Sequence, residues 1–314
     1  MNTKEIKTQN PAEVYGRTLV ELGKENKRIV ALDADLSKST MSCYFQDAFP
    51  NRYFQMGIAE QDMASFAAGL SLTGKIPFIN SFAVFAAGRD YDQIRQGICI
   101  PKLNVKIVGG SAGLSDFGDG STHQGIEDIA IMRAIPNMTV LVPADAIETK
   151  KMVKVIVEYN GPVYLRINRG LLPDISAENT EYKIGDSYLI RNGKDAVVFA
   201  CGIMVSKALE SAETLESEGI SVKVVNVSTL KPVREEQLRK FAEGMKGVVT
   251  AEEHTLIGGL ADCICYTLRG RGIPIEAVGI NDSFGQSANS YDELLAHYGL
   301  TAAHIADAVR KVLR

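Results

Sequence analysis

Short apolar runs and amphipathic stretches alternate along most of this chain. Ile29–Asp33 and Val105–Val108 have the pattern of buried strands, whereas Pro11–Lys24 and Ala146–Glu158 keep the apolar spacing of helices. Strands that alternate with helices at this spacing are typical of a parallel sheet covered by helices on both faces. The sequence therefore predicts an α/β fold.

The alternation lapses into a polar stretch between about residues 170 and 194 and then begins again. Ala196–Ala200 and Val222–Val227 indicate further strands, and Thr301–Leu313 indicates a closing helix. A chain of 314 residues is long enough for two hydrophobic cores. We therefore expect two consecutive parallel-sheet domains, residues 1–180 and residues 181–314.

Charge and composition argue against several classes of function. The formal net charge is −4 and no basic block is present, so the sequence does not support nucleic-acid binding. The apolar stretch from Phe66 to Gly88 is broken by Lys75, Pro77 and Asn80, which makes it a poor membrane span. The N-terminus lacks a signal-like apolar run and the five cysteines are scattered. We therefore expect a soluble cytoplasmic protein with buried, reduced thiols.

One acidic residue comes directly after a predicted strand. Glu60 follows the strand Tyr53–Met56 and opens a mostly apolar helix that ends at Gly74. A carboxylate at the start of a helix is favourable in itself, which is the structural interpretation. The apolar neighbours also allow a buried carboxyl with a raised pKa, which is the functional interpretation. The local sequence leaves both interpretations open.

Two further segments carry aromatic and polar side chains. Phe82 and Phe85 are three residues apart, and such a pair most often packs in a core. The stretch GDGSTHQG, residues 118–125, lies in a Gly/Ser/Asp-rich loop between a strand and a helix, where open α/β sheets place ligands. Its Gly-Asp-Gly is typical of a metal and phosphate loop, whereas its Thr-His-Gln is typical of a polar substrate pocket.

Taken together, these motifs resemble the C-terminal half of a transketolase. The matching pieces follow the family's order and cover nearly the whole chain: YGRTLVEL, ALDADLSKS, RYFQMGIAEQDMASFAAGL, SFAVF, GDGSTHQGIED, RAIPNMTVLVPAD, LRINRGLLP, VVNVSTLKP and TAEEHTLIGGLAD. The resemblance implies a pyrimidine-binding domain followed by a transketolase C-terminal domain. It also implies an enzyme that transfers a two-carbon ketol unit between sugar phosphates with thiamine diphosphate as cofactor.

The resemblance assigns four residues to the cofactor. Glu60 matches the glutamate that hydrogen-bonds the aminopyrimidine ring and promotes loss of the thiazolium proton. Phe82 and Phe85 match aromatic residues that pack on the same ring, where a flat apolar surface suits offset stacking. Asp35 matches an acid near the cofactor and the subunit interface.

The substrate residues follow from the same resemblance. Asp119 and His123 match residues that bind sugar hydroxyls, and His123 is also expected to take part in catalysis. The positions that hold the phosphate of a sugar phosphate are matched by Arg17, Ser39 and Arg169, because guanidinium groups suit phosphate oxygens. Arg166 has no matching role and is expected to be a surface arginine.

The chain departs from typical transketolases at two positions. The family's Thr-His-Asp-Ser segment is replaced by Gly109–Ala112, a stretch nearer to 1-deoxy-D-xylulose-5-phosphate synthase. Gly88 stands where the third aromatic residue of the pyrimidine pocket is expected, although Tyr91 is a substitute if the loop is shifted. These departures leave the identity of the sugar open.

The resemblance also implies a missing half of the site. The family holds the diphosphate through Mg²⁺ or Ca²⁺ on another domain, with a Gly-Asp-Gly and a later asparagine, and no suitable asparagine follows Gly118–Gly120. We expect no metal site here but a partner, the N-terminal transketolase subunit, that carries it in a heterotetramer. Two alternatives are a subunit like that synthase and a 2-oxo-acid dehydrogenase beta-type subunit. A third is a homologue without cofactor that acts as a scaffold.

Overall fold

Two helix-covered β-sheets form the core of the protein, whose computed structural model describes residues 7–314. The strands are β1 (Thr8–Gln9), β2 (Ile29–Asp33), β3 (Tyr53–Gln55), β4 (Ile76–Phe82), β5 (Lys106–Gly110), β6 (Thr139–Leu141), β7 (Val163–Arg166), β8 (Leu172–Pro173), β9 (Tyr188–Arg191), β10 (Ala196–Ala200), β11 (Val222–Asn226), β12 (Thr229–Lys231), β13 (Gly247–Thr255) and β14 (Ile275–Ile280). The predicted alternation is present, and the α/β class is confirmed.

Helices connect most of the strands. They are α1 (Pro11–Glu25), α2 (Ser37–Thr40), α3 (Cys43–Ala48), α4 (Glu60–Leu72), α5 (Ala83–Gly88), α6 (Tyr91–Gln93), α7 (Asp128–Ala134), α8 (Ala146–Glu158), α9 (Met204–Glu216), α10 (Glu235–Ala242), α11 (Leu260–Leu268), α12 (Tyr291–His297) and α13 (Ala302–Val312). A 3₁₀ turn covers Pro50–Arg52, and a π-helix, Ile94–Cys99, continues α6. Among residues 7–314, no helix is both long and apolar enough to cross a membrane.

The first sheet brings two loops to one edge. Its strand order is β12-β6-β7-β5-β4-β2-β3, and every pair except β12–β6 is parallel. Phe82 at the end of β4 pairs with Gly110 at the end of β5. Because the carboxyl ends of neighbouring parallel strands lie at the same edge, the segments that follow β4 and β5 meet there.

The second sheet has the order β14-β13-β10-β11-β9 and is parallel except at β9. Each of these predominantly parallel sheets ends in one antiparallel edge strand, β9 in the second sheet and β12 in the first. β9 lies in the polar stretch that the sequence pattern left without structure. An edge strand has a partner on one side only, so its sequence carries a weaker apolar signal than a central strand.

The two halves of the chain share a sheet. β12 lies after β11 in sequence, yet it joins the first sheet beside β6, and the Val142 N–H donates to the Ser228 carbonyl at 2.8 Å. One continuous apolar core includes Val140 from the first sheet and Phe199 from the second. The boundary at residue 180 stays a prediction, and the packing across it is extensive.

The cysteines do not all have the predicted environment. All five are free, and Cys99, Cys201 and Cys263 are buried. Cys43 is half-buried and Cys265 is exposed on α11, so the prediction of buried thiols is wrong for Cys265. The Cys-x-Cys spacing puts the two side chains on different sides of the helix, of which only one faces the core.

Candidate active site

Glu60 is a buried carboxylate at the first turn of a helix. It is the first residue of α4, only 4% of its surface is exposed, and Ala59 before it offers no side-chain cap. Its Oε1 accepts a hydrogen bond from Arg89 Nη1 at 3.0 Å. The buried carboxylate therefore has a charged hydrogen-bond donor from this chain and lies at the positive end of the α4 helix dipole.

Aromatic rings line the space beside this carboxylate. Phe82 and Phe85 are stacked, with ring centroids 6.0 Å apart and planes inclined by 11°. The imidazole of His123 meets Phe85 edge-on at 5.3 Å and Phe82 at 6.1 Å. The edge shared by β4 and β5 therefore brings together three residues that were predicted for the site.

Arg89 connects the carboxylate with the aromatic rings, and the sequence analysis missed it. Its guanidinium carbon lies 3.9 Å from the centroid of the Phe85 ring while its Nη1 donates to Glu60. A flat group is thus stacked on Phe85 and hydrogen-bonded to Glu60 at the same time. The available signal was spacing, since Arg89 follows Phe85 by four residues, about one helical turn.

The loop after β5 holds a second group of predicted residues. Asp116 is buried and forms an ion pair with Arg169, Nη1 to Oδ2 at 3.0 Å. Burial raises the pKa of Asp116 and the charge of Arg169 opposes the rise, with smaller influences from Asp119 and His123. Asp119 itself is exposed. Asp119, His123 and Arg169 are therefore neighbours, and Asp116 is a fourth, unpredicted member of the group.

Three other predicted residues lie further out. Asp35 is exposed at the end of β2 with a φ of 65°, and its N–H donates to the side chain of Gln55. Ser39 is half-buried in α2. Arg17 is largely exposed on α1, pairs with Glu13 at 3.7 Å and lies 5.3 Å from the ring of Tyr44. These contacts place the Arg17 guanidinium between Glu13 of α1 and Tyr44 of α3.

Arg166 contradicts the expectation of a surface arginine. It lies in β7, and its side chain is only 4% exposed. Its Nε donates to Asp128 at 2.9 Å, where Tyr164 also donates at 2.7 Å, and its Nη2 donates to the carbonyl of Glu253 at 3.0 Å. A charged residue inside an otherwise apolar strand needs such partners, because an unpaired buried charge is very costly.

His254 is buried in the same region and is neutral. Its Nδ1 lies 2.7 Å from the carbonyl of Thr255, and its Nε2 accepts the N–H of Ala130 at 3.3 Å. A proton on Nδ1 and a lone pair on Nε2 satisfy both contacts, so the ring is assigned the tautomer protonated on Nδ1. Burial lowers the pKa of His254 to about 4. This arrangement gives His254 a structural role, because both ring nitrogens contact backbone groups of the chain.

Two family models match the chain. The model described as "Transketolase, pyrimidine binding domain" matches residues 7–174, and the model described as "Transketolase, C-terminal domain" matches residues 185–305. The chain belongs to the transketolase family. It is accordingly an enzyme chain that corresponds to the C-terminal section of a transketolase, and the family implies the use of thiamine diphosphate.

Relatives of transketolase type include proteins of the same length. A protein of Methanocaldococcus jannaschii named "Putative transketolase C-terminal section" is 44% identical, with 96% of this chain and 95% of the relative covered. A "6-deoxy-6-sulfo-D-fructose transketolase subunit" of Clostridium sp. is 40% identical, with 96% and 93% covered. A solved structure titled "Split gene transketolase, inactive beta4 tetramer" superposes with a TM-score of 0.89 at 48% identity, over 97% of this chain and 98% of the other.

The Gly-Asp-Gly of this chain lies in the loop between β5 and α7. Gly118, Asp119 and Gly120 follow Asp116 in the loop that also carries His123. Within residues 7–314, no group of three or more His, Cys, Asp or Glu side chains is placed to hold a metal ion.

Proposed function

We propose that the chain is the C-terminal subunit of a two-chain, thiamine diphosphate-dependent transketolase. It transfers a two-carbon ketol unit from a ketose phosphate to an aldose phosphate, as in the pentose phosphate conversions of the cytoplasm. A separate N-terminal subunit supplies the diphosphate site and its Mg²⁺ or Ca²⁺. The active assembly is a heterotetramer with two copies of each chain.

The observation that carries the proposal is the flat group stacked on Phe85 and hydrogen-bonded to the buried Glu60. In this chain the guanidinium of Arg89 has that place. An aminopyrimidine ring has the same requirements, an aromatic face and a hydrogen-bonding edge, so the residues fit the cofactor. Phe82 and Phe85 would hold the ring, and Glu60 would hold or give up a proton at its edge.

The chemistry of the proposed reaction divides between the cofactor and the chain. Thiamine diphosphate, when bound, supplies the nucleophilic carbon and the electron sink for cleavage of the C–C bond. Glu60, which is buried, would hydrogen-bond the edge of the pyrimidine ring and hold or release a proton there. Asp35 is proposed to act at the margin of the cofactor, near the partner subunit.

The substrate contacts come from the loop after β5 and from the end of β7. His123, beside the aromatic pair, and the exposed Asp119 are proposed to bind sugar hydroxyls, with His123 also moving a proton. Arg169 is proposed to hold the phosphate, with Ser39 and Arg17 as outer contacts. The phosphate competes with Asp116 for Arg169, since the two anions need the same guanidinium.

Reconstitution tests the proposed function. The purified chain alone is expected to show no ketol transfer, in line with the similar chain titled an inactive tetramer. Addition of the N-terminal subunit, thiamine diphosphate and Mg²⁺ is expected to restore transfer between sugar phosphates. Full transfer by the isolated chain would contradict the two-chain proposal. Formation of 1-deoxy-D-xylulose 5-phosphate would favour the synthase-like alternative, and a strict need for a lipoyl-linked acceptor would favour the dehydrogenase-type alternative.

Arg89→Met is expected to tighten thiamine diphosphate binding in the reconstituted complex by about threefold to fivefold. Arg89 competes for both Glu60 and the Phe85 face, and a half-exposed ion pair is worth up to about 1 kcal/mol. Isothermal titration calorimetry with the cofactor measures the change. Arg95→Met, at an exposed arginine of the following π-helix, is the control and should leave the Kd unchanged. An unchanged or weaker affinity in Arg89→Met would contradict this competition.

A further inference from the structure

Glu253 is a buried carboxylate of the second sheet that contacts the first half of the chain. It lies in β13 and is 3% exposed. Its Oε1 accepts the backbone N–H of Leu114 at 2.8 Å and the hydroxyl of Tyr291 at 2.7 Å. Its Oε2 accepts from Asn168 Nδ2 at 3.3 Å, with Arg166 Nη1 at 3.8 Å. Four donors thus converge on one carboxylate.

These donors belong to the two segments that carry the proposed substrate residues. Leu114 begins the loop that leads to Asp119 and His123, and Asn168 directly precedes Arg169. Tyr291 links the two segments, because its hydroxyl donates to Glu253 and accepts from Asn168 Nδ2 at 2.6 Å. The Glu253 carboxylate therefore connects the loop after β5 with the segment after β7.

The backbone of the loop is adapted to this contact. Gly113 has a φ of 64°, and a Cβ at that position would overlap the carboxyl group of Glu253. Only glycine adopts such a conformation easily and leaves the space free. The backbone at Gly113 therefore packs directly against the Glu253 carboxyl group. The distance between the loop and β13 is consequently sensitive to the size and chemistry of residue 253.

The second half of the chain also holds the far end of the loop. Gln124, next to His123, donates to the carbonyls of Asp116 and Gln286, each at 3.0 Å. The N–H of Ala288 donates to the carbonyl of Phe117 at 2.9 Å. The loop that carries Asp119 and His123 is therefore supported from the second half of the chain at both ends.

We propose that Glu253 is a positioning residue for the substrate, which sets the distance between the hydroxyl-binding loop and the phosphate-binding Arg169. The inference rests on the proposed function, because it assigns a purpose to the geometry of the same site. The oxygens of Glu253 already accept from donors of this chain. Glu253 acts through Leu114 and Asn168, and a shift of about 1 Å between groups that bind one substrate is enough to weaken binding strongly.

A carboxylate is the group that this junction requires. All four neighbours donate protons, and a carboxylate has acceptor sites on both oxygens. In Glu253→Gln, one of the two oxygens becomes an NH₂ group. Whichever way the amide is turned, that NH₂ group faces N–H or O–H donors. Either the loop segment at Leu114 or the segment at Asn168 is therefore displaced.

Glu253→Gln in the reconstituted complex tests the proposal, with Glu252→Gln as the matched control. Glu252 is the preceding residue of β13, is equally buried, and accepts the N–H groups of Leu260 and Ala261 at the start of α11 instead of the loop. We expect Glu253→Gln to raise the KM for the phosphorylated acceptor about tenfold, with kcat within about threefold and the Kd of thiamine diphosphate unchanged. Glu252→Gln should leave the KM within about twofold.

Tyr291→Phe provides a second variant that keeps the core volume, and its KM should rise by a smaller factor. Hydrogen exchange of the isolated chain gives a readout that does not depend on activity. In Glu253→Gln, the amide of Leu114 or that of Gly170, which donates to Asn168 Oδ1 at 2.7 Å, should exchange about tenfold faster. Glu252→Gln should leave both amides unchanged.

The outcomes separate this inference from the proposed function. An unchanged KM in folded Glu253→Gln overturns the positioning role, and so does an equal loss of cofactor and substrate affinity, which indicates a general structural defect. If the wild-type complex shows no ketol transfer, the proposed function fails. Faster exchange at Leu114 or Gly170 would then still support Glu253 as the residue that fixes the two segments, and unchanged exchange would overturn it.

Discussion

Glu60→Gln is expected to abolish ketol transfer in the reconstituted complex while the fold stays intact. The substitution keeps the shape and a hydrogen-bond acceptor at the start of α4 but removes the group that holds and releases a proton beside the proposed pyrimidine ring. Loss of a positioned acid or base typically reduces the rate by about 10²–10⁴-fold. Initial rates at saturating sugar phosphates, thiamine diphosphate and Mg²⁺ measure the effect.

The control for Glu60 lies two residues away. Asp62 is also in the first turn of α4, but it is exposed, so Asp62→Asn changes the same helix dipole interaction without touching the site. Asp62→Asn should keep nearly full activity, and both variants should have a free energy of unfolding within about 1 kcal/mol of the wild type. Full activity in Glu60→Gln would refute its catalytic role and favour the scaffold interpretation of this chain.

Arg166→Met is expected to lower the free energy of unfolding more than any other substitution proposed for this chain. The guanidinium compensates the buried carboxylates of Asp128 and Glu253, and methionine leaves both without a countercharge. Removing one partner from a buried ion pair typically costs about 3–5 kcal/mol in the free energy of unfolding. Urea unfolding of the isolated chain, followed by circular dichroism, measures this loss.

An exposed arginine provides the comparison for Arg166. Arg234 pairs with Asp186 at 2.6 Å, but its side chain is 60% exposed. Arg234→Met should cost about 1 kcal/mol, since water already solvates most of the Arg234 side chain. If the two substitutions cost the same, the buried network does not stabilise the fold as its geometry indicates.

The central elements were predictable from the sequence because each has a period or an apolar run of its own. β10 begins and ends at the predicted residues, Ala196 and Ala200. β12 was not predicted because a strand of three residues is too short to show the alternation of apolar and polar side chains. It is defined by its pairing with β6. β13 extends through Glu252, Glu253 and His254, polar residues that local pattern does not favour in a buried strand and that have partners elsewhere in the chain.

The candidate active site also contains both residues that the sequence predicted and residues that it did not. Phe82, Phe85 and His123 were predicted from motifs, and the pairing of β4 with β5 brings the segments that carry them together. The roles assigned to them stay predictions until the variants are measured. The roles of Arg89 and Glu253 were not predicted, because each depends on a contact with a residue distant in sequence. Arg89 contacts Glu60, and Glu253 contacts Leu114. Local spacing does not encode contacts between residues so far apart in sequence.

The position of β12 limits where the chain can be divided. A fragment that ends at residue 180 would lack β12, and the outer edge of β6 would then present free N–H and C=O groups from Thr139 to Val142 to any passing strand. The proposed enzyme divides its site between two polypeptides, but the shared sheet leaves no comparable place for a break inside this chain. Both halves of the chain are needed to complete the seven-stranded sheet, so fusions and tags are best placed at the ends of the chain.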